Sequence, residues 1–534
     1  MAVFDTIVVG AGSAGCVVAS RLSADASRRV LLLEAGGSDK SFLIRKPGMI
    51  ALIHTVPQIK EKFDWGYKTV PQDHAVQRKV NTVRGKLLGG SSSINGMVFV
   101  RGNKANFDSW AAEGCDGWSY ADLLPLYKRM EDYEKGGSTV RGAGGPVAVT
   151  HTDGISPVSY AFQDAVSEVC GVPKLDDYNG DRQEGVGVVQ VSAKDGVRYS
   201  TSKAYVDPVR GRDNLVVQTG ATVRRLIIES GRCVGVVYDH NGTEKTARAS
   251  EEVVLSAGAI GTPQILMLSG IGPADHLKDH GIAVHADLPV GDNLHDHLLF
   301  PMTWTAPRGG HKGTPWHFFS SLFKEVTMGG TWLGRSVFEM FAFIKSDASA
   351  PIPDIQLHSM PWAYPANPEP EGRPEVDMRP AFTVQPTLIY PKSRGTVRLR
   401  SADPGAKPHI DPRYLSHPAD LELLFRGCEL TREIMAASPI ASELREEIEP
   451  GPEFFDSQKL RAEIPRRAGT VYHPVGTCRM GTDARAVVDP QLRVLGVEGL
   501  RVADGSIMPS ITGGNTNAPC ILIGEKCAAL IQDR

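Results

Sequence analysis

The glycines of "GAGSAG", Gly10-x-Gly12-x-x-Gly15, constrain this chain more than any other feature. They follow "DTIVVG" (5–10), whose β-branched apolar run predicts a short buried strand. A helix is predicted from Cys16 to Ser23, and "RVLLLEAG" then reads as a second buried strand reaching Glu34. Strand, glycine turn, helix and strand within about thirty residues make a βαβ unit. Each part has a physical task. Gly10 permits the tight turn, Gly12 lets the backbone approach a pyrophosphate, and Gly15 lets helix and strand pack closely. The helix N-terminus attracts phosphate, and Glu34, nineteen positions after Gly15, can accept hydrogen bonds from a ribose. This context predicts a dinucleotide site built on Gly10, Gly12, Gly15 and Glu34. The motif itself does not choose between FAD and a nicotinamide cofactor.

With 534 residues the chain exceeds what one simple core organises, so two domains or one elaborated domain are expected. A formal net charge of −3 provides no basic stripe for nucleic acid. The eight cysteines include no Cys-x-x-Cys pair, which argues against a zinc site or disulfide scaffold and for reduced thiols in a cytoplasmic protein. The N-terminus has no basic segment before its apolar run, so no signal peptide is expected. Val253–Ala274 is uncharged, but four glycines, two prolines and two serines divide it into strand, turn (Gly261–Pro263) and short helix rather than a membrane span.

Further strands are predicted within Asn214–Val237, Glu251–Ala259, Gly395–Leu415 and Gly499–Ser510. His417–Ala437 has Leu421, Leu424, Cys428 and Ile434 near helical spacing, and the final helix carries Pro519 in its first turn. Lys135–Pro146 reads as a mobile glycine-rich loop, and Met360–Pro380 as a long irregular loop suited to a lid.

Four more stretches carry chemistry. Gly85–Asp108, "GKLLGGSSSINGMVFVRGNKANFD", offers backbone donors for phosphate or a flavin edge, or serves only as a helix cap. Gly258–Gly272 brackets a short apolar helix. "TVYHPVGTCRMG" (470–481) places His473 before a proline, which suits either a turn or a proton-transfer group. "ADGSIMPSITGGNTNAP" (503–519) contains Asn515. In this order, together with the opening glycine turn, these stretches resemble the glucose–methanol–choline (GMC) flavoprotein oxidoreductases from end to end. Bacterial alcohol-, choline- and sorbose-dehydrogenase-like members look most similar.

The resemblance implies an α/β fold, α+β overall. A Rossmann-like FAD-binding domain would comprise 1–155, 205–300 and 465–534, and a substrate domain with an antiparallel sheet 156–204 and 301–464. It implies FAD-dependent oxidation of a primary alcohol to an aldehyde, with electrons passed to a quinone-like or other acceptor. An oxidase using oxygen, a hydroxynitrile lyase retaining FAD and a light-driven fatty-acid decarboxylase are the alternatives. His473 takes the position of the base for the hydroxyl proton, and Asn515 that of the group orienting the alcohol oxygen. Only the resemblance adds Ser13, Ala14 and Ala35 to the dinucleotide site. The other implied FAD contacts are Gly90, Ser91, Asn95, Gly96, Met97 and Val98 in the flavin-side loop, and Val223 at adenine. Ala257, Asp504, Gly505, Asn515 and Thr516 complete them. Some relatives bind FAD covalently through a histidine where this chain has Ile94, so non-covalent FAD is expected. His297, in a "LPVGDNLHDH" segment one residue shorter than the commoner form, is assigned to structure remote from the reacting pair. Trp304, Trp316, Phe318, Phe319, Trp332, Phe338, Phe341, Phe343, Trp362 and Tyr364 suggest a pocket for an aromatic or apolar alcohol. No transmembrane segment is expected, though peripheral membrane association is compatible with this reading.

Overall fold

A computed structural model describes residues 3–311, 314–364 and 377–533. The βαβ unit forms as expected: strand Val3–Val9, helix Gly15–Leu22, strand Val30–Leu33, the two strands parallel. Sequence order and spatial order then part company. Leu215–Gln218 pairs parallel with Val30–Leu33, and the long strand Thr243–Leu255 pairs parallel with Val3–Val9 on the other side. Beyond it lie Arg232–His240 and Ala221–Glu229, both antiparallel, while Leu500–Val502 adds parallel to Val253–Leu255. Segments nearly 500 residues apart in sequence thus share one seven-stranded sheet. Its central parallel stretches, Ile7–Val9, Val30–Leu33 and Val253–Leu255, are continuous apolar runs because both faces are covered.

The C-terminal helix Asn517–Gln532 lies against Gly15–Leu22. Gly524 makes this approach possible, since a Cβ there would stand 2.7 Å from the Ala14 carbonyl oxygen. Buried Glu525 locks the contact, accepting from Arg21 (2.8 Å), Arg129 (2.6 Å) and the Tyr205 hydroxyl (2.7 Å).

The second sheet has nine strands, largely antiparallel, with Met302–Thr305, Ala381–Leu388, Ile355–Met360, Met340–Ile344 and Gly185–Val188 adjacent in that order. Helices Pro157–Cys170, Pro418–Ala436 and Ser457–Arg467 supply apolar residues to its core. Two short strands cross the expected domain bounds. Leu298–Leu299 and Gly469–Thr470 fall on the first unit by sequence, yet they hydrogen-bond with each other, and Leu298–Leu299 joins Ala381–Leu388 of the second sheet.

Three other expectations need correction or restriction. Gly261 and Pro263 lie inside the helix Gly258–Leu268 rather than in a turn before it. Pro263 cannot donate to the Ala259 carbonyl one turn back, and the Thr477 hydroxyl donates there instead at 2.7 Å. The loop Lys135–Pro146 is anchored: Arg141 is buried and paired with Glu131 (2.9 Å) and Asp177 (2.7 Å). Within Met360–Pro380, residues 365–376 lie outside the described residues, so the lid reading falls largely there. Among the described residues no cysteine forms a disulfide, and six of the eight are buried. Among the described residues no helix is long and apolar enough to cross a membrane.

Candidate active site

One cavity of about 990 Å³ runs from the glycine turn to His473, lying between the two sheets' contributions. At its first end Gly10, Gly12, Ser13 and Ala14 form the wall. Gly15 does not reach the cavity. Its role is packing, since a Cβ would fall 1.9 Å from the Gly10 carbonyl oxygen. Gly90 carries φ +53° and stands so close to Gly12 that a Cβ would meet its Cα at 2.8 Å. Glu34, at the end of its strand, spans the turn by accepting from the backbone N–H of Ala11 (3.0 Å) and of Gly36 (2.8 Å). Burial pushes its carboxyl up to about 7, against the pull of these backbone donors. Ser13 donates to Asn517 Oδ1 at 2.7 Å, tying the glycine turn to the opening of the last helix.

Ala35, Ser91, Asn95, Gly96, Val98, Val223, Ala257, Gly505 and Thr516 also border the cavity. Asn95 Oδ1 accepts from Met97 N and Arg198 Nη1, both at 2.9 Å, which fixes the flavin-side loop. Met97 is, with Gly15, an exception among the expected contacts: its side chain is buried in a separate apolar cluster. Asp504, at the end of the strand Leu500–Val502, accepts from Gly258 N (2.9 Å), Thr262 Oγ1 (2.6 Å) and Ser506 N (2.8 Å). Burial raises its carboxyl above the ordinary range.

At the other end His473 and Asn515 come together, with Asn515 Nδ2 3.4 Å from His473 Nε2. His297 is not remote from this pair. Its Nδ1 lies 3.0 Å from His473 Nδ1, and the rings meet edge to face at 5.2 Å. The reason is the strand pairing of Leu298–Leu299 with Gly469–Thr470, which brings the two histidine segments side by side. Asp296 holds the backbone of the same segment, accepting from His473 N at 2.8 Å and from the hydroxyls of Tyr414 (2.8 Å) and Thr470 (2.5 Å). In sequence the only signal for this role was three titratable residues in four positions, His295–Asp296–His297 after Leu294, and it did not name their partner.

These contacts fix proton positions. His297 Nε2 lies 2.9 Å from the Ile389 carbonyl, which can only accept, so Nε2 carries the proton. Burial pushes the His297 imidazole down to about 3, so the ring is neutral and its Nδ1 is an acceptor. His473 Nδ1 must therefore donate to it. Burial first, then His297 and Arg84, hold His473 well below its usual range, so it too is neutral. Its Nε2 is left with a bare lone pair facing Asn515, whose Oδ1 in turn lies 3.4 Å from Gln356 Nε2.

Of the ten aromatic residues singled out, Phe318, Trp332, Phe338, Trp362 and Tyr364 border the cavity. Trp304, Phe341 and Phe343 are buried in the second-sheet cores, and Trp316 and Phe319 are exposed. His358 and Gln385, paired across two strands, also border the cavity. Neither His358 nitrogen nor Gln385 Nε2 has a partner at hydrogen-bonding geometry. Polar side chains at the cavity wall were missed because they sit within strands that are buried along their whole length.

Models of the GMC oxidoreductase family match residues 4–299 and 391–524. The chain is 40% identical over 536 residues to an alcohol dehydrogenase (acceptor) of Pseudomonas putida, covering 99% of this chain and 95% of that protein. It is 41% identical over 537 residues to an oxygen-dependent choline dehydrogenase of Rhizobium johnstonii, covering 98% and 94%. Its fold is similar to that of pyridoxine 4-oxidase from Mesorbium loti, with a TM-score of 0.88, 32% identity and 99% of both chains covered.

Proposed function

The chain belongs to the GMC oxidoreductase family, and from that premise we propose that it oxidises a primary alcohol to the aldehyde, using FAD. The observation that carries this reading is the His473–Asn515 pair, with an unprotonated Nε2, at the end of a cavity that begins at a dinucleotide-type glycine turn.

The residues present fit FAD. Gly12 leaves its side of the turn open, and the helix Gly15–Leu22 opens beside it with unsatisfied N–H groups for a pyrophosphate. We assign Gly10, Gly12, Ser13 and Ala14 to the pyrophosphate, Glu34 and Ala35 to the ribose, and Val223 to adenine. Gly90, Ser91, Asn95, Gly96, Val98, Ala257, Asp504, Gly505 and Thr516 hold the remainder. With Ile94 in the loop, the attachment is non-covalent. FAD supplies, when bound, a ring that accepts hydride.

The chain's own residues do the proton chemistry. His473 Nε2 takes the hydroxyl proton, which raises the hydride-donating power of the carbinol carbon. Asn515 cannot act as a base, but its amide hydrogen-bonds the oxygen and fixes its direction. Burial keeps the His297 and His473 rings neutral.

The walls favour an aromatic or apolar alcohol. The cavity's carboxylates are Glu34, Glu61 and Asp504. Glu34 and Asp504 belong to the glycine-turn end, and Glu61 also borders a recess beside Ala35–Gly37, so among the described residues none is placed to serve a cationic substrate beside His473. A quinone-like or other organic acceptor is our reading for the electrons, in a cytoplasmic protein. Oxygen is the second reading, favoured by the similarity to an oxidase.

Anaerobic mixing with a series of primary alcohols tests the proposal: substrate bleaches the flavin absorbance. A flavin unchanged by every alcohol, with cyanide released from a cyanohydrin, would establish a lyase instead. His473→Ala lowers the reduction rate by roughly 10²–10⁴-fold with FAD content retained. Near-normal reduction would remove His473 from the role of base.

A further inference from the structure

The helix Pro315–Thr327 is built inside out. Thr314 caps its start, accepting from His317 N at 3.3 Å. Its inward face is fixed by polar groups: Ser321 accepts from Trp332 Nε1 at 2.8 Å, and buried Glu325 accepts from Lys46 (2.8 Å), Thr331 N (2.9 Å) and Thr331 Oγ1 (2.7 Å). The outward face is apolar. Trp316 is 80% exposed, Phe319 62%, Phe323 71% and Val326 68%, and Met328 just beyond is 76% exposed. At 100° per residue the four helical positions occupy an arc of about 80°. Water-facing helices show the opposite arrangement, and a contiguous apolar stripe of this kind marks an interaction surface.

The segment that carries the stripe is rich in cations, of which Arg335 is paired with exposed Asp153 at 3.0 Å. From 306 to 335 the cations are Arg308, Lys312, Lys324 and Arg335, and the only anion is Glu325, which is buried and paired. This local excess occurs in a chain whose formal net charge is −3. Arg308 and Lys324 are exposed and have no ion pair among the described residues. Tryptophan and phenylalanine on one helix face with lysine and arginine beside it are what a helix needs to lie in the headgroup region of an anionic bilayer. The cations meet the lipid phosphates, and the rings enter the acyl boundary.

We propose that this face docks the protein on a membrane surface carrying anionic lipid. Docking has a consequence for the cavity, because Thr314, His317, Phe318 and Trp332 form part of its wall. One helix then faces lipid on one side and the cavity on the other, so an apolar molecule dissolved in the bilayer has a short path inward. The inference holds whichever alcohol is oxidised.

The test is sedimentation of the FAD-loaded enzyme with phosphatidylcholine vesicles containing phosphatidylglycerol, beside vesicles of phosphatidylcholine alone. The wild type co-sediments with the anionic vesicles, and less as salt rises. Trp316→Ser/Phe319→Ser/Phe323→Ser lowers the partition by roughly 10²-fold or more, with flavin absorbance and melting midpoint unchanged. Arg308→Glu/Lys324→Glu, which leaves the stripe intact, weakens binding at low salt. Wild-type protein that stays free of the anionic vesicles would overturn the proposal, as would a triple variant that binds equally well. A wild-type dimer that the triple variant converts to monomer, with neither binding vesicles, would assign the face to a second copy of the chain and overturn it too.

Discussion

At the scale of single residues, the site depends on one proton being in the right place. Ile389 fixes His297, and His297 fixes His473, so the lone pair on Nε2 is a consequence of two contacts rather than of histidine itself. Burial holds His473 below 6.5, and an imidazole acts as base only above its own pKa. The reduction rate is therefore flat through neutral pH and falls only on acidification, at a lower pH than free imidazole would give. His297→Ala removes the acceptor for Nδ1–H and costs roughly 10²-fold in reduction rate, while His297→Asn, whose amide oxygen can accept, recovers part of it. Both variants also change the acid limb of the profile, because His297 is in direct contact with His473 Nδ1. A rate and pH profile unchanged in His297→Ala would refute the positioning role.

Elements are held by close approaches and buried charge. The turn between the first strand and helix closes because neither Gly10 nor Gly15 has a side chain. Gly15→Ala drives a methyl group into the Gly10 carbonyl, so the variant should be isolated with little bound flavin and a lowered melting midpoint. Full flavin occupancy would show that the turn can relax. Glu131 illustrates the charged case: it is fully buried and accepts from Arg101 Nε (2.7 Å), Arg101 Nη2 (2.6 Å) and Arg141 Nε (2.9 Å). Glu131→Gln leaves buried Arg101 without its counter-charge and Arg141 with Asp177 alone, at a cost of about 3–5 kcal/mol in denaturant unfolding. A loss below about 1 kcal/mol would mean that water or Asp177 compensates.

Over the whole molecule, the cavity is walled by segments from nearly every part of the chain, from Val9 to Cys520. Bound FAD would bridge them, and a ligand bound only by the folded state adds about 2.7 kcal/mol at 100 times its dissociation constant. The melting midpoint should therefore rise with added FAD after the flavin is stripped. Acid precipitation should leave yellow flavin in the supernatant. Flavin retained in the pellet would contradict the non-covalent assignment.

The βαβ unit, the short helix after Val253–Leu255, the strands of 214–240 and the two long C-terminal helices were legible in the sequence, because local periodicity, glycine placement and caps specify them within a few residues. The order of the motifs was legible too, and with it the family. What stayed hidden was every relation across long separations. Sequence placed His297 outside the site, yet two short strands, each only two residues long, bring it to His473 across 176 positions. Met97 stood in the right loop and faces the core instead. His358 and Gln385 lie in strands buried on both faces, where alternation alone does not tell a cavity wall from a packed core. The sequence by itself determined which local elements form and which residues can carry or move a proton. Only the tertiary structure decided which of those residues meet and which nitrogen of His473 is bare, because proton position follows from the hydrogen-bond partners that folding brings within reach.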